Sequence, residues 1–231
     1  MSDAKDSNSK MVATAEGLMS DAFHRLLDLA IKGRGKLLGA RTIANNQLRH
    51  HQDHEGAIRW LSNQHIALAG GQGFATNWGG FLLSLVTIPA NMAAAAFIQA
   101  RAVAAIAHLR GYELDDPRVR TAILVVMLGP RGSAALIAAG DLPSSAAAVA
   151  TAPAFDPRLD ARVSRALLEQ SMNHVGGKRL GVFLAKKIPL VGGGVGAVVD
   201  GWSTRSIIQY AQEQFISRRP RATGYVVIVE N

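Results

Sequence analysis

The sequence predicts an all-α protein: one compact helical domain with two apolar helical hairpins interrupted by glycine and proline. Three observations carry this expectation. Apolar residues recur at three- and four-residue spacing over long stretches, as in Ala22, Leu26, Leu27, Leu29 and Ala30. Helix start and stop signals are frequent, notably Asp116-Pro117, Gly111 and Gly140. A β-branched run occurs only at residues 225–229, and a lone strand has no partner to pair with. At 48% hydrophobic residues over 231 positions the chain can bury a sizeable core, which excludes disorder as its main state. The absence of cysteine excludes a disulfide framework, a thiolate zinc site, an iron–sulfur cluster and a cysteine nucleophile.

In chain order, the first ten residues mix both charge signs and lack the apolar core of a secretory signal, so the expectation is a cytoplasmic protein with a disordered start. Residues 11–38 read as an amphipathic helix, and residues 40–64 continue with helix formers and a polar face. No charged side chain occurs from Ile66 to Ala100, yet Gly70, Gly71, Gly73, Gly79, Gly80 and Pro89 break that stretch. Its continuous apolar pieces are shorter than the roughly 20 residues of a membrane span, which favours a hairpin, either buried in the core or inserted into a membrane. Proline at the head of residues 90–110 suits a helix start and Gly111 its stop. Asp116-Pro117 pairs an N-cap with proline in the first turn, opening a helix whose AILVVML run is apolar all round and therefore central. Residues 134–139 are helical up to Gly140, and residues 141–157, rich in proline, serine and alanine, read as a loop or a small-residue linker. Residues 161–174 and 203–215 form further amphipathic helices. Between them, residues 180–199 make the second hairpin, broken at Pro189, where Gly192 and Gly196 at four-residue spacing permit close helix contact. This divides the chain into N-terminal helices over 1–60, a helical domain over 61–215 and a basic tail over 216–231.

The formal net charge of +8 is concentrated at residues 178–221, which carry a net +6. Lys178, Arg179, Lys186 and Lys187 flank the second hairpin, with Lys186 and Lys187 expected to face a membrane. Basic residues beside an apolar segment attract anionic lipid at about 1 kcal/mol per charge. Nucleic acid is disfavoured as a partner, because stacking aromatics are few and no recognition motif is present. His50 and His54, at i and i+4 with Asp53 between them, are the best metal candidates and suit zinc; a solvated helix face is the competing reading. Asp115 and Asp116 offer two carboxylates for magnesium in diphosphate chemistry, although helix capping already explains them. The sequence requires no cofactor. Asn91, Arg101, His108 and Tyr112 fall near one stripe of the alanine-rich helix. A buried Arg101 needs an acceptor such as Asp115, Asp116 or Asp200, since an unpaired internal charge is too costly to keep.

The ordered set of Ile88-Pro89-Ala90, Arg101, His108-Leu109-Arg110-Gly111-Tyr112, Asp116-Pro117-Arg118, Lys178-Arg179 and Ile188-Pro189-Leu190-Val191-Gly192 resembles the EcsC family over about residues 60–215. The resemblance implies a bacterial protein of that helical type, with no catalytic residue to carry over and no established molecular activity. It also implies a partner at the inner membrane, either anionic lipid or a membrane protein such as an ABC transporter. The function expected is therefore a peripheral lipid- or membrane-protein-binding module. The alternative is a metal-dependent enzyme acting on an isoprenoid or acyl substrate in a helical pocket.

Overall fold

The computed structural model describes residues 21–51, 53–70, 90–185 and 192–219, with the side chains of 90–92, 172–185 and 192–202 outside that description. The described residues are all-α apart from one minimal hairpin. Helical residues 21–32 form α1, followed by β1 (Gly33–Arg34) and β2 (Leu37–Leu38), which pair antiparallel with Gly33 opposite Leu38. Then come α2 (Ala40–His50), α3 (His54–Gly70), α4 (Ala90–Leu109), α5 (Pro117–Met127) and α6 (Gly129–Ala138). The short α7 (Ala146–Ala150) precedes two long helices, α8 (Pro157–Ala185) and α9 (Gly192–Gln214).

Local chemistry sets the boundaries. The helix expected over 11–38 stops at residue 32, because Gly33 takes φ +74° and a Cβ there would lie 2.2 Å from the Leu37 carbonyl oxygen. The helix expected over 40–64 is two helices. His51 is extended, and Asp53 then caps α3 by accepting from the Gly56 amide. At the end of α4 the Tyr112 amide donates to Ala107 O and the Gly111 amide to His108 O, each at 3.0 Å, with Gly111 at φ +89°. That double bond pattern closes the helix and turns the chain. Asp116 caps α5 through the Arg118 amide with Pro117 in the first turn, as the sequence predicts. Residues 141–157, expected as a loop or linker, are irregular apart from α7 and Pro157 at the start of α8, and they pack into the domain: Ser145 caps α7, and Leu142, Ala146, Val149 and Ala150 are buried in the common core.

Helix α4 is the axis of the molecule, packed against α2, α3, α5 and α9. Residues 102–107 (Ala-Val-Ala-Ala-Ile-Ala) are fully buried without a break, so this helix has no solvent face there. Alanine permits this, since its small side chain lets four neighbours approach while the occasional larger residue fills the gaps. Burying each of Phe97, Ile106 and Leu109 contributes about 1.5–3 kcal/mol. The core takes in Phe23, Leu26 and Leu27 of α1 together with Ile208 and Phe215 near the other end of the chain, and α3 runs uninterrupted through residues 60 and 61. Among the described residues no single helix is long and apolar enough to cross a membrane. Helices α5 and α6 qualify only as a pair, and they are bent by 108° at Gly129.

Candidate functional site

Among the described residues, three cross-helix polar contacts line the interface of α3, α4 and α9. Gln99 Nε2 donates to Thr204 Oγ1 at 3.2 Å, Arg101 Nε donates to His65 Nε2 at 3.2 Å, and Gln212 Nε2 donates to Ser62 Oγ at 2.9 Å. His65 and Thr204 are wholly buried, Ser62 and Arg101 nearly so. The tautomer of His65 follows from its contacts: Nδ1–H donates to the Leu61 carbonyl at 2.8 Å, leaving Nε2 to accept from Arg101. The Arg101 guanidinium also lies 5.2 Å from the centre of the Phe97 ring, a favourable cation–π arrangement.

Burial dominates the electrostatics of this seam. It lowers the Arg101 pKa to about 10, and it lowers that of His65 to about 4, with the Arg101 charge adding to the effect and the Leu61 hydrogen bond opposing it. His65 is therefore a neutral acceptor at physiological pH and is not tuned for proton transfer there. What the arrangement does is fix the register of three helices around an arginine that is charged at neutral pH.

That register has a directional consequence. Arg110 pairs with Glu55 at 2.9 Å and Arg101 with His65, so α3 runs antiparallel to α4. Gln99 pairs with Thr204 and Arg219 with Leu109 O, so α9 runs parallel to α4. The end of α3 at Gly70, the start of α4 at Ala90 and the start of α9 at Gly192 therefore lie at the same end of the bundle.

The residues expected on one stripe of α4 have different surroundings. Arg101 turns inward to His65, whereas His108 meets Asn45 Oδ1 of α2 at 3.2 Å. Tyr112, beyond the helix end, packs edge-on against Phe215 at 5.0 Å. The His108 pKa is lowered by burial and by Arg41 and Arg219, and that of Tyr112 is raised by burial. Neither Asp115 nor Asp116 is the acceptor expected for Arg101. Asp115 shares Arg41 with Glu113, at 2.7 and 2.6 Å, while Asp116 caps α5 and pairs with Arg118. The Arg118 hydrogen bond is the main influence holding the Asp116 carboxyl below its ordinary pKa. A carboxylate pair for magnesium is not assembled there, since each member already has an arginine. The zinc expectation fails on geometry as well: His50 ends α2 and His54 begins α3, so the two do not share a helix face. Among the described residues no three His, Asp or Glu side chains come together to hold a metal. Lys186 and Lys187 lie outside the described residues, as does the candidate strand at 225–229, and the side chains of Asn91, Lys178, Arg179 and Asp200 are likewise not described.

Sequence reading missed His65, Ser62, Gln99, Thr204 and Gln212. For His65 a signal existed: with Ile58 and Leu61 it falls on one helical stripe, at i, i+3 and i+7, which marks it as inward-facing. The polar pairs across α9 had none, because they depend on the docking of segments 105 and 150 residues apart.

No curated protein and no solved structure matches the chain. The model of the EcsC protein family matches residues 3–219, a span that takes in the N-terminal helices the motif resemblance omits as well as the buried seam. The chain belongs to the EcsC protein family.

Proposed function

We propose that this protein is a peripheral membrane module that binds an anionic bilayer surface through one end of its α3, α4 and α9 bundle. The observation that carries this reading is the convergence of Gly70, Ala90 and Gly192 at that end. The 19 residues joining α3 to α4 carry no charge and include Trp78 and the FLLSLV run. The residues joining α8 to α9 begin with Lys186 and Lys187, and Lys178 and Arg179 lie on the closing turns of α8. Apolar segments and basic residues at one end provide two attractions that add: burial of apolar surface in the interface, and about 1 kcal/mol per basic charge near an anionic surface. The family membership agrees with a role beside a membrane protein, which the same experiment separates from direct lipid binding.

Flotation of the purified chain with vesicles tests it. Capture by vesicles of about 30% phosphatidylserine at low salt is expected, with weaker capture by zwitterionic vesicles and by anionic vesicles in high salt. Lys186→Glu/Lys187→Glu is expected to reduce capture more than Arg25→Glu on the exposed side of α1. Protein that stays at the bottom with every lipid vesicle sinks the lipid reading. Capture by native membranes alone would move the partner to a membrane protein.

A further inference from the structure

Helix α1 buries Phe23, Leu26, Leu27, Ala30 and Ile31, and its other edge meets the starts of α5 and α8 through charged pairs on two successive turns. His24 Nε2 lies 2.9 Å from Asp160 Oδ2, and Arg120 Nη2 lies 2.9 Å from Asp28 Oδ1. The second oxygen of Asp160 accepts from Thr121 Oγ1 at 2.6 Å, so one carboxylate joins three helices. Asp160 is largely shielded at 15% side-chain exposure, whereas His24, at 31%, remains open to proton exchange with water. The groups that act on His24 are Asp160 from α8, Arg120 from α5 and Asp21 from its own helix, with Thr121 fixing the far side of Asp160.

We propose that this cluster is a proton-dependent latch, fastening the turn of α1 that carries His24 to α5 and α8 while His24 is charged and slackening when His24 loses its proton. An imidazolium donates a charge-assisted hydrogen bond to the carboxylate, whereas a neutral ring retains only the weaker neutral donor. The next turn is held by the ion pair of Asp28 with Arg120, and the apolar face holds the rest. The slackening is therefore local to residues 21–28. The electrostatics agree in sign. The hydrogen bond to Asp160 outweighs burial and raises the His24 pKa above 6.5. For Asp160, burial opposes ionisation, but the hydrogen bonds from His24 and Thr121 and the nearby positive charges outweigh it and lower its pKa below 3.8. The stabilisation from His24 is complete below the free value of 6.5 and is lost as pH rises through the raised value. That from Asp160 is complete above 3.8 and is lost as pH falls through the lowered one. The latch is closed between these limits and opens as pH rises through the raised His24 value.

Two measurements on the full chain test it. Titration of the imidazoles by NMR is expected to place His24 above 6.5, with Asp160→Asn bringing it down. Amide exchange at residues 21–28, referenced to α5 and corrected for its intrinsic pH dependence, is expected to rise at least about threefold from about pH 6 to about pH 9. It should stay flat in both His24→Lys, which keeps the charge, and His24→Gln, where it starts fast. The proposal is overturned if wild-type His24 titrates at or below 6.5, or if exchange in the wild type and His24→Gln follows pH alike. Should a variant not fold, the titration of the unaltered protein decides alone.

Discussion

Arg101 stays charged inside an alanine-lined helix because its neighbours are acceptors rather than competitors. His65 is held in the tautomer that presents a bare Nε2 by its own backbone bond to Leu61, and the Phe97 ring covers one side of the guanidinium. Keeping His65 neutral has a cost in acid. Its folded pKa of about 4 lies below the free value of 6.5, so its contribution is fully present above 6.5 and is lost as pH falls towards 4. The loss amounts to something on the order of 3 kcal/mol over that window. His65→Leu is expected to lower stability at neutral pH by about 1–3 kcal/mol, by removing an acceptor from a buried charged donor. The same change should flatten the decline between pH 6.5 and 4; urea titrations of both proteins at the two ends of that window check both effects. At this scale the sequence marked Arg101 as a residue needing a partner; of its candidate acceptors, Asp115 and Asp116 serve other arginines, while the Asp200 side chain lies outside the described residues. A neutral histidine on another helix does not announce itself as an arginine partner.

Between elements, the end of α4 is where local and long-range structure depend on each other. Gly111 is required by its left-handed φ of +89°, and its bare Cα also faces the segment that follows α9, where an added Cβ would lie 3.1 Å from Arg219 Cγ. Arg219 in turn donates to Leu109 O and His108 O, and the Arg218 amide donates to Arg110 O, satisfying carbonyls that the helix leaves open. Gly111→Ala is expected to cost about 1–2 kcal/mol from backbone strain alone and to loosen residues 216–219. Differential scanning calorimetry reads the first effect and exchange of the Arg218 amide the second. A variant as stable as the wild type, with that amide still protected, contradicts the account. Helix ends written in Gly111 and Asp116-Pro117 were legible because their chemistry is local. The break at His51 was not, since residues 40–64 contain neither proline nor a glycine at that point. Nor was α7, whose helix exists because tertiary packing buries Ala146 and Val149.

For the molecule as a whole, the antiparallel α3 and parallel α9 give the bundle two chemically distinct ends. One borders the charge-free sequence; the other carries Arg41 with Glu113 and Asp115, Arg110 with Glu55, and the Arg218-Arg219 segment. If the first end meets a bilayer, the helices stand upright on it. The three tryptophans report this directly, because Trp78 falls in the charge-free segment while Trp60 lies ten residues, about 15 Å of helix, back from the end of α3. In single-tryptophan variants on anionic vesicles, brominated lipid is expected to quench Trp78 strongly and Trp60 little; equal quenching excludes the upright orientation. The all-α class was readable from periodicity, but the shared end of α3, α4 and α9 was not, since it depends on how distant helices dock. That docking also bears on synthesis. Helix α4 leaves the ribosome complete at residue 109, yet the neighbour that closes its last side, α9, ends at Gln214. At translation rates of roughly 5–20 residues per second, the central helix waits on the order of 5–20 s with an apolar side uncovered. The nascent chain is thus most open to chaperones, or to a nearby membrane, before its final third has been made.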